Sequence, residues 1–434
     1  MGTIPPSALR RCGIALAALA LAATACTSEG GGGEGPGGDS GAEAAVLTIA
    51  PESGAAGVAP NTQVTVTAEH GTITEVTVDQ VVPEQPEEEV SPFEMTGTLT
   101  EDGTAWVSDW TLAPGADVTV TATAEGADGE AVELVHEFTT EAAVAGQRLE
   151  LARNYPNSHD TNTVGVGMPI YLEFDLPVTD KAAVENSLKI VSEQAVAGSW
   201  RWLDDRSVAF RPETYWEPYQ KVTVEMHLAG VRASEGVYGV RDYKVDFEIG
   251  RELRMSMSVP DHEMVVTVDG EEVRRIPVSN GDGATNFSTT SSGTHVLMER
   301  YRTLVMDSST VALPAGRNGY NTEVEYAVRT SNSGEFLHEA SYNTAIGIEN
   351  RSNGCTNLRM DDAKWIYENT FAGDVLDTTG TDRVKEWHNG WGYWQLTWDE
   401  WLAESVTGEP HVTDGSNPPG SPFGTQGDGV TEEE

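Results

Sequence analysis

Cys355 lies in the stretch SNGCTN at 352–357, and His338 stands 17 positions before it in FLHE at 336–339. A thiol becomes a nucleophile when a base takes its proton. Histidine is the side chain whose ordinary pKa suits that task near neutrality. Gly354 lets the backbone approach a carbonyl closely, so the amides of Gly354 and Cys355 are natural donors to an oxyanion. The Ser, Asn and Gly neighbours of Cys355 make a poor apolar cage, which argues for a reactive thiol rather than an inert buried one. Alone, His338 would read as a satisfied core histidine; its place upstream of the thiol makes it the base. This chemistry calls for no metal and no cofactor. It requires the loop from 339 to 352 to fold back so that the two side chains meet. A helix starting near Met360 would add a positive end that favours thiolate.

Composition restricts the setting. The 434 residues carry a formal net charge of −43, which opposes nucleic-acid binding because the chain would repel phosphate. Length alone suggests roughly three domains. At the N-terminus, Arg10 and Arg11 precede an apolar run over 13–22, too short to span a bilayer, and Ala23-Thr24-Ala25 leads into Cys26. Small residues directly before a cysteine resemble a bacterial lipobox. That implies cleavage of residues 1–25 and lipid attachment at Cys26, with the folded part held on the extracytoplasmic face of a membrane. Of the three cysteines, Cys12 then leaves with the signal segment and Cys26 is lipidated, so Cys355 has no partner for a disulfide. Residues 26–44 are a Gly-rich tether whose 15 or so flexible positions reach roughly 20 Å.

The elements that must position the thiol and histidine are mainly β. Over 45–145, short alternating Val- and Thr-rich runs at 62–68, 75–78, 105–110, 117–124 and 132–139 are separated by turn residues, as in an Ig-like sandwich. Glu87 to Glu89 read as a solvated loop. Over 146–250 the pattern repeats, with runs at 169–174, 188–191, 199–203, 207–211, 221–227 and 244–249. A hairpin turn falls at Asp204-Asp205 and a helical turn near 180–186. His159 and His227 are isolated and carry no chemistry. From 251 to 379 the texture changes. A hairpin with a type I′ turn at Asp269-Gly270 joins 264–268 to 273–278. Further strands are expected at 293–298, 304–306, 326–329 and 336–338, a Pro/Gly loop at 313–319, a helix over 360–370 and a closing strand at 374–377. Residues 380–407 hold Trp387, Trp391, Trp394, Trp398 and Trp401 at spacings of four and three. The indoles read as a strap packed across a domain junction rather than a sugar-stacking face, with a helix only over 397–405. The Pro-, Gly- and Glu-rich residues 408–434 read as a disordered tail.

With these residues assembled, a family resemblance follows. SNGCTN at 352–357, His338 upstream and DDAKWIY at 361–367 resemble the signature of the L,D-transpeptidase (YkuD) family. That signature is a His, a gap in the mid-teens, then Ser/Thr-His-Gly-Cys-hydrophobic-Asn. MDSST at 306–310, NGY at 318–320 and TWDEW at 397–401 are similar to the actinobacterial members, which carry Ig-like domains ahead of the catalytic domain and are often lipoproteins. The resemblance implies a mainly β chain, two Ig-like sandwiches followed by a β-rich YkuD-type catalytic domain with a short helix after the cysteine. It implies attack by Cys355 on the carbonyl between residues three and four of a peptidoglycan tetrapeptide stem. The acyl group then passes to a side-chain amine of a neighbouring stem as a 3→3 cross-link, and carbapenems acylate the same thiol. His338 would be the base, with Gly354 in the oxyanion region. Met306 and Tyr320 would line the pocket under a mobile flap. Tyr342, Ser352 and Asn353 would also bind substrate, and Asn357 would hold the loop.

Two positions depart from the pattern. Asn353 stands at the His of His-Gly-Cys and cannot titrate. Glu339 stands where Ser commonly follows the base histidine, and a carboxylate turned inward there would raise the imidazole pKa. Papain-like and NlpC-type peptidases place Cys before His, and sortases use a longer gap and a later Arg, so neither fits. The remaining alternative is a catalytically weakened or inactive cell-wall-binding lipoprotein.

Overall fold

The computed structural model describes residues 43–83, 85–157, 162–310 and 319–424. The signal segment, Cys26, most of the tether, His159, most of the 313–319 loop and residues 425–434 lie outside them.

Period-two alternation builds the first sandwich. In Asp117–Gly126 the inward residues Val118, Val120, Ala122 and Ala124 are buried while their neighbours reach solvent. That strand lies between Gly71–Val81 and Ala131–Thr139. The facing sheet runs Val46–Ala50, Thr65–Glu69, Ala105–Ser108, Gly97–Leu99. The 71–81 strand is much longer than the sequence suggested, and Val46–Ala50 was not anticipated. Glu87–Glu89 forms a 3-10 turn.

The second sandwich pairs a sheet of Thr163–Val164, Tyr243–Ile249, Gln220–Met226 and Leu188–Ser192 with one of His411–Val412, Ala197–Trp202, Ser207–Pro212, Ile170–Phe174 and Leu151–Tyr155. The Asp204 carboxylate closes the expected hairpin by accepting from the amides of Arg206 and Ser207 at 2.7 and 2.8 Å. The strand from the tail corrects the expectation of disorder after 408. Ala197 and Gly198 pair with Val412 and His411, Thr413 is buried, and Phe423 is buried with its carbonyl accepting from Asn61 of the first sandwich at 3.1 Å. The tail is low in apolar content but satisfies the open edge of a preformed sheet, a tertiary gain that composition does not register.

The tryptophan strap packs into the same core. Trp391, Tyr393 and Trp401 are buried beside Trp200, Phe210 and Val296. Trp401 Nε1 donates to Ser199 O at 2.9 Å, and Trp394 Nε1 to Gly167 O at 3.0 Å. The Arg211 guanidinium lies 4.8 Å from the Trp394 ring and 5.2 Å from that of Trp401. The helix here spans only Trp398–Leu402, capped by Thr397 and Glu400 in a capping box.

In the last domain, a sheet ordered Glu271–Pro277, Glu263–Val268, Leu253–Ser258, Val375–Thr379, Gly293–Val296 faces a second of Arg300–Asp307, Asn321–Arg329, Phe336–Glu339 and Thr356–Leu358. Met255, Met257, Val266, Leu337 and Leu358 fill the space between, closed by Ala363 and Ile366 of the helix Met360–Asn369. Asp269 and Gly270 have φ of 51° and 82°, as a type I′ turn requires. The central strand Leu253–Ser258 was not anticipated. The domain abuts the second sandwich through backbone: Gly165 N donates to Ala372 O at 2.8 Å and Gly167 N to Gly373 O at 2.9 Å. A Cβ on Gly165 would come within 2.2 Å of Asp374 N. Arg251 holds the fully buried Asp374 through hydrogen bonds of 3.0 and 2.8 Å.

His227 marks the junction of the two sandwiches. Its ring stacks on Trp110, with centroids 3.8 Å apart and planes 3° from parallel. Burial, then the nearby Lys189, pulls its pKa from 6.5 to about 3. The folded chain therefore holds it neutral while an unfolded chain would protonate it. Its stabilising contribution is complete above pH 6.5 and is lost as pH falls toward 3. Acidification from pH 7 to 4 should lower the Tm of wild type more than that of His227→Phe, which keeps the stack and removes the titration. Parallel Tm-versus-pH curves would refute this.

Candidate active site

A pair of parallel strands brings the histidine and the cysteine to one cavity. Leu337 pairs with Thr356 and His338 with Asn357. Paired residues point to the same face and the face alternates along each strand. Leu337 and Leu358 therefore enter the core, while His338, Asn357 and Cys355 line one cavity of about 390 Å³. Met306, Tyr320, Tyr342, Ser352 and Asn353 line it as well, so the binding residues expected from sequence are gathered in one place. Gly354 stands behind the cavity wall. Thr322, Val324, Asn343, Thr344 and Arg351 also line it and carried no sequence signal beyond polarity. Met306 and Tyr320 flank the hairpin of Arg300–Asp307 and Asn321–Arg329, whose tip lies outside the described residues.

A chain of hydrogen bonds fixes the imidazole. The Ala345 amide donates to Asn343 Oδ1 at 3.0 Å, so the Asn343 amide group turns its Nδ2 to Asn357 Oδ1, at 3.0 Å. That in turn presents Asn357 Nδ2 to His338 Nε2 at 3.1 Å. On the other side, His338 Nδ1 lies 2.7 Å from the carbonyl of Glu339. An amide donor at Nε2 and a carbonyl acceptor at Nδ1 specify a neutral ring with its proton on Nδ1 and its lone pair on Nε2. The Glu339 carboxylate accepts from the Ser341 amide at 2.6 Å. It therefore caps a turn, and the hold on the ring comes from the backbone carbonyl.

Cys355 sends its thiol proton elsewhere, with Sγ 3.6 Å from Gly334 O. Its spatial neighbours are apolar despite its polar sequence neighbours: it packs against the cluster of Val324, Ala327 and Phe336. Burial pushes the thiol from 9.0 up to about 12, the Phe336 amide acting against the rise and the Glu335 carboxylate adding to it. Burial also holds His338 below 6.5. Both directions favour a neutral thiol and a neutral imidazole in the resting site over the thiolate that a helix end would promote. A helix end contributes about 0.3–1 kcal/mol at a surface position, whereas a rise from 9.0 to about 12 is worth about 4 kcal/mol.

The loop carrying Cys355 is braced by its own polar groups. Gly354 has φ of 116°, and a Cβ there would stand 3.2 Å from Phe287 O. Its carbonyl accepts from Thr290 Oγ1 at 2.7 Å. Its amide donates to Ser352 Oγ at 3.1 Å, and Ser352 Oγ donates to the Cys355 carbonyl. In the resting site the Gly354 amide is engaged by Ser352 Oγ. Ser279 ties this loop to the histidine side: its backbone bridges Asn357 and its hydroxyl accepts from Asn343 Nδ2 at 3.0 Å.

Replacing Asn357 by Asp tests the tautomer. A carboxylate opposite Nε2 would demand a proton there and raise the imidazole pKa above 6.5. His338 should then titrate above 6.5 by NMR, and acylation of Cys355 should slow about 100-fold or more, the usual share of a general base. An unchanged titration with an unchanged rate would rule out Nε2 as the basic atom.

Comparison with known proteins shows which family the chain resembles. The sequence model of a bacterial Ig domain matches residues 55–232, and that of the L,D-transpeptidase catalytic domain matches residues 255–395. L,D-transpeptidase 2 of Mycobacterium tuberculosis is 33% identical over 362 residues, covering 82% of this chain and 84% of that protein. L,D-transpeptidase 5 of the same organism is 32% identical over 326 residues, covering 72% of this chain and 68% of that one. A solved L,D-transpeptidase in complex with imipenem is 32% identical, covers 53% of this chain and 98% of its own, and superposes with a TM-score of 0.45. By its sequence match along both its sandwiches and its cysteine-bearing domain, the chain belongs to the L,D-transpeptidase family.

Proposed function

We propose that the chain is a peptidoglycan transpeptidase that forms 3→3 cross-links through a thioester at Cys355. The observation that carries this is the convergence of Cys355 and a neutral, Nε2-basic His338 on one cavity. In the donor half-reaction the Sγ proton passes to His338 Nε2 as Sγ adds to the carbonyl between stem residues three and four. The imidazolium returns that proton to the amine of D-Ala as the C–N bond breaks. In the acceptor half-reaction a side-chain amine of a second stem loses a proton to Nε2 and adds to the thioester. The sulfur leaves and takes the proton back, so an amide is formed and the thiol restored.

The resting contacts must be exchanged for this to occur. Nε2 has to trade the Asn357 amide for the thiol, and Sγ has to leave Gly334 O. Substrate filling the cavity supplies the occasion, with Met306, Tyr320 and Tyr342 on the walls and Ser352 and Asn353 beside the sulfur. The Cys355 amide is the oxyanion donor nearest the reacting carbon, and Gly354 can join it by releasing Ser352. The same acylation chemistry makes carbapenems inhibitors. The departure at Asn353 favours a second reading, a weakened or inactive wall-binding protein.

Intact-mass measurement separates the two. Wild type should gain one meropenem or imipenem mass and convert disaccharide tetrapeptide to a 3→3 dimer, and Cys355→Ala should do neither. If wild type forms no adduct and no dimer, the binding reading replaces the enzyme. We further propose that residues 1–25 are a lipoprotein signal, that Cys26 carries lipid, and that the protein works on the extracytoplasmic side of the cell membrane facing the wall. On fractionation, Cys26→Ala should move the protein from membrane to soluble material. A wild-type protein already soluble would end that proposal.

A further inference from the structure

Beneath Cys355 lies a buried ionic clamp that the reaction as described does not use. Glu335 directly follows Gly334, the residue whose carbonyl faces Sγ. Although charged, Glu335 is only 6% exposed. Its carboxylate accepts from Arg383 Nη1 at 2.5 Å and from Ser291 Oγ at 2.6 Å, with the Ser291 amide at 3.3 Å. The backbone around it is bound with equal completeness: Glu335 N donates to Ser331 Oγ at 2.9 Å, and Glu335 O accepts from the amide and the hydroxyl of Thr330 at 2.9 and 3.0 Å.

Arg383 carries the clamp to the other side of the nucleophile. It also donates to Thr289 O at 2.7 Å. The next residue, Thr290, holds the Gly354 carbonyl. One ion pair therefore joins the 331–336 turn that contacts the sulfur, the 289–291 segment that holds the residue before it, and the 383–385 segment that leads into the tryptophan strap. A buried ion pair whose carboxylate receives three donors is costly to assemble and costly to break on one side only. A core serving stability alone could fill this place with apolar side chains.

We propose that Glu335 is a positioning residue for the nucleophile. Clamped by Arg383 and Ser291, it fixes the Gly334 carbonyl against Sγ and keeps Cys355 a thiol until substrate displaces that contact. The groups around the sulfur agree with this sense. Glu335 opposes ionisation of the thiol, and Tyr320 and Tyr342 across the cavity are themselves raised by burial and by the thiol. His338 stays neutral, and its neighbour Glu339 is turned to Ser341. Arg351 at the rim is paired with Glu349. Behind the clamp, the buried Lys385 and His295 are both lowered, chiefly by burial. Arg383 is the cation bonded to Glu335; Lys385, which also feels that carboxylate, donates instead to Thr330 O at 2.9 Å.

The proposal rests on Cys355 being the nucleophile, and its test reads the thiol itself, so a failure of transpeptidation leaves it decidable. The rate of iodoacetamide alkylation of Cys355 in the full folded chain is measured from pH 6 to 11. Glu335→Gln removes the negative charge and leaves Arg383. Its alkylation profile should move to lower pH, with the rate at pH 8 rising about three- to tenfold, since the thiolate is the reacting form. Arg383→Met removes the cation bonded to Glu335 and leaves only the more distant Lys385, so its profile should move to higher pH with a slower rate at pH 8. Arg383→Lys, which keeps the charge, should stay near wild type. A loosened structure would move Glu335→Gln and Arg383→Met in the same direction, so a common shift, or none, overturns the assignment. Should Glu335→Gln fail to fold, the two Arg383 variants decide alone: a slower Met variant beside a normal Lys variant supports it, and equal behaviour overturns it.

Discussion

The register between Phe336–Glu339 and Thr356–Leu358 is the constraint on which the rest of the site depends. Because side chains alternate, a slip of one residue on either strand would send His338 or Cys355 into the core and bring Leu337 or Leu358 out. The register is held from both faces. On the inner face the two leucines are fully buried among Met255, Met257 and Val266. On the outer face Asn343 and Ser279 grip Asn357, and Thr290 grips Gly354. Apolar burial supplies the energy and the polar contacts select the alignment, a division that matches how sheets are generally specified.

The site's electrostatics follow from the same burial. Placing the thiol against Phe336 and Val324 shields it from water but makes its anion expensive. The imidazole beside it meets the same penalty, so both partners rest uncharged. Behind the sulfur, charge is carried by Glu335 and Arg383, with Arg383 and Ser291 donating to the carboxylate. Burial of this kind lowers the reactivity of a thiol until a ligand rearranges its contacts.

Much of this was legible in the chain. The His338 and Cys355 pair, the helix at 360, the type I′ turn and most strands follow from residue type and spacing, because each rests on local chemistry. What was not legible depends on contacts remote in sequence. The central strand Leu253–Ser258 alternates apolar and polar at every position, but its Leu and Met are not the β-branched and aromatic residues that mark a strand, and its place is fixed by its neighbours in the sheet. Asn343 is one Asn among several in a loop, and its importance arises from the Ala345 amide that orients it. Glu339 and the tail misled for the same reason. A carboxylate beside a histidine suggests a charge pair until a free amide two residues on proves the better partner. A polar tail suggests disorder until an unpaired strand edge is there to receive it.

The way the tail and strap return to the second sandwich has a consequence for how the chain is made. Residues 149–249 supply most of that core, yet Trp391, Tyr393, Trp401 and the His411–Val412 strand arrive some 150 positions later, after the whole cysteine-bearing domain. The sandwich cannot finish its interior when its own segment leaves the ribosome. It must wait, partly open, for the last residues of the chain. Contacts so distant in sequence slow folding and lengthen exposure of apolar surface. The second and third domains therefore mature together in one late step, and a chain clipped shortly before its end loses the support beneath the catalytic domain rather than a dispensable appendage.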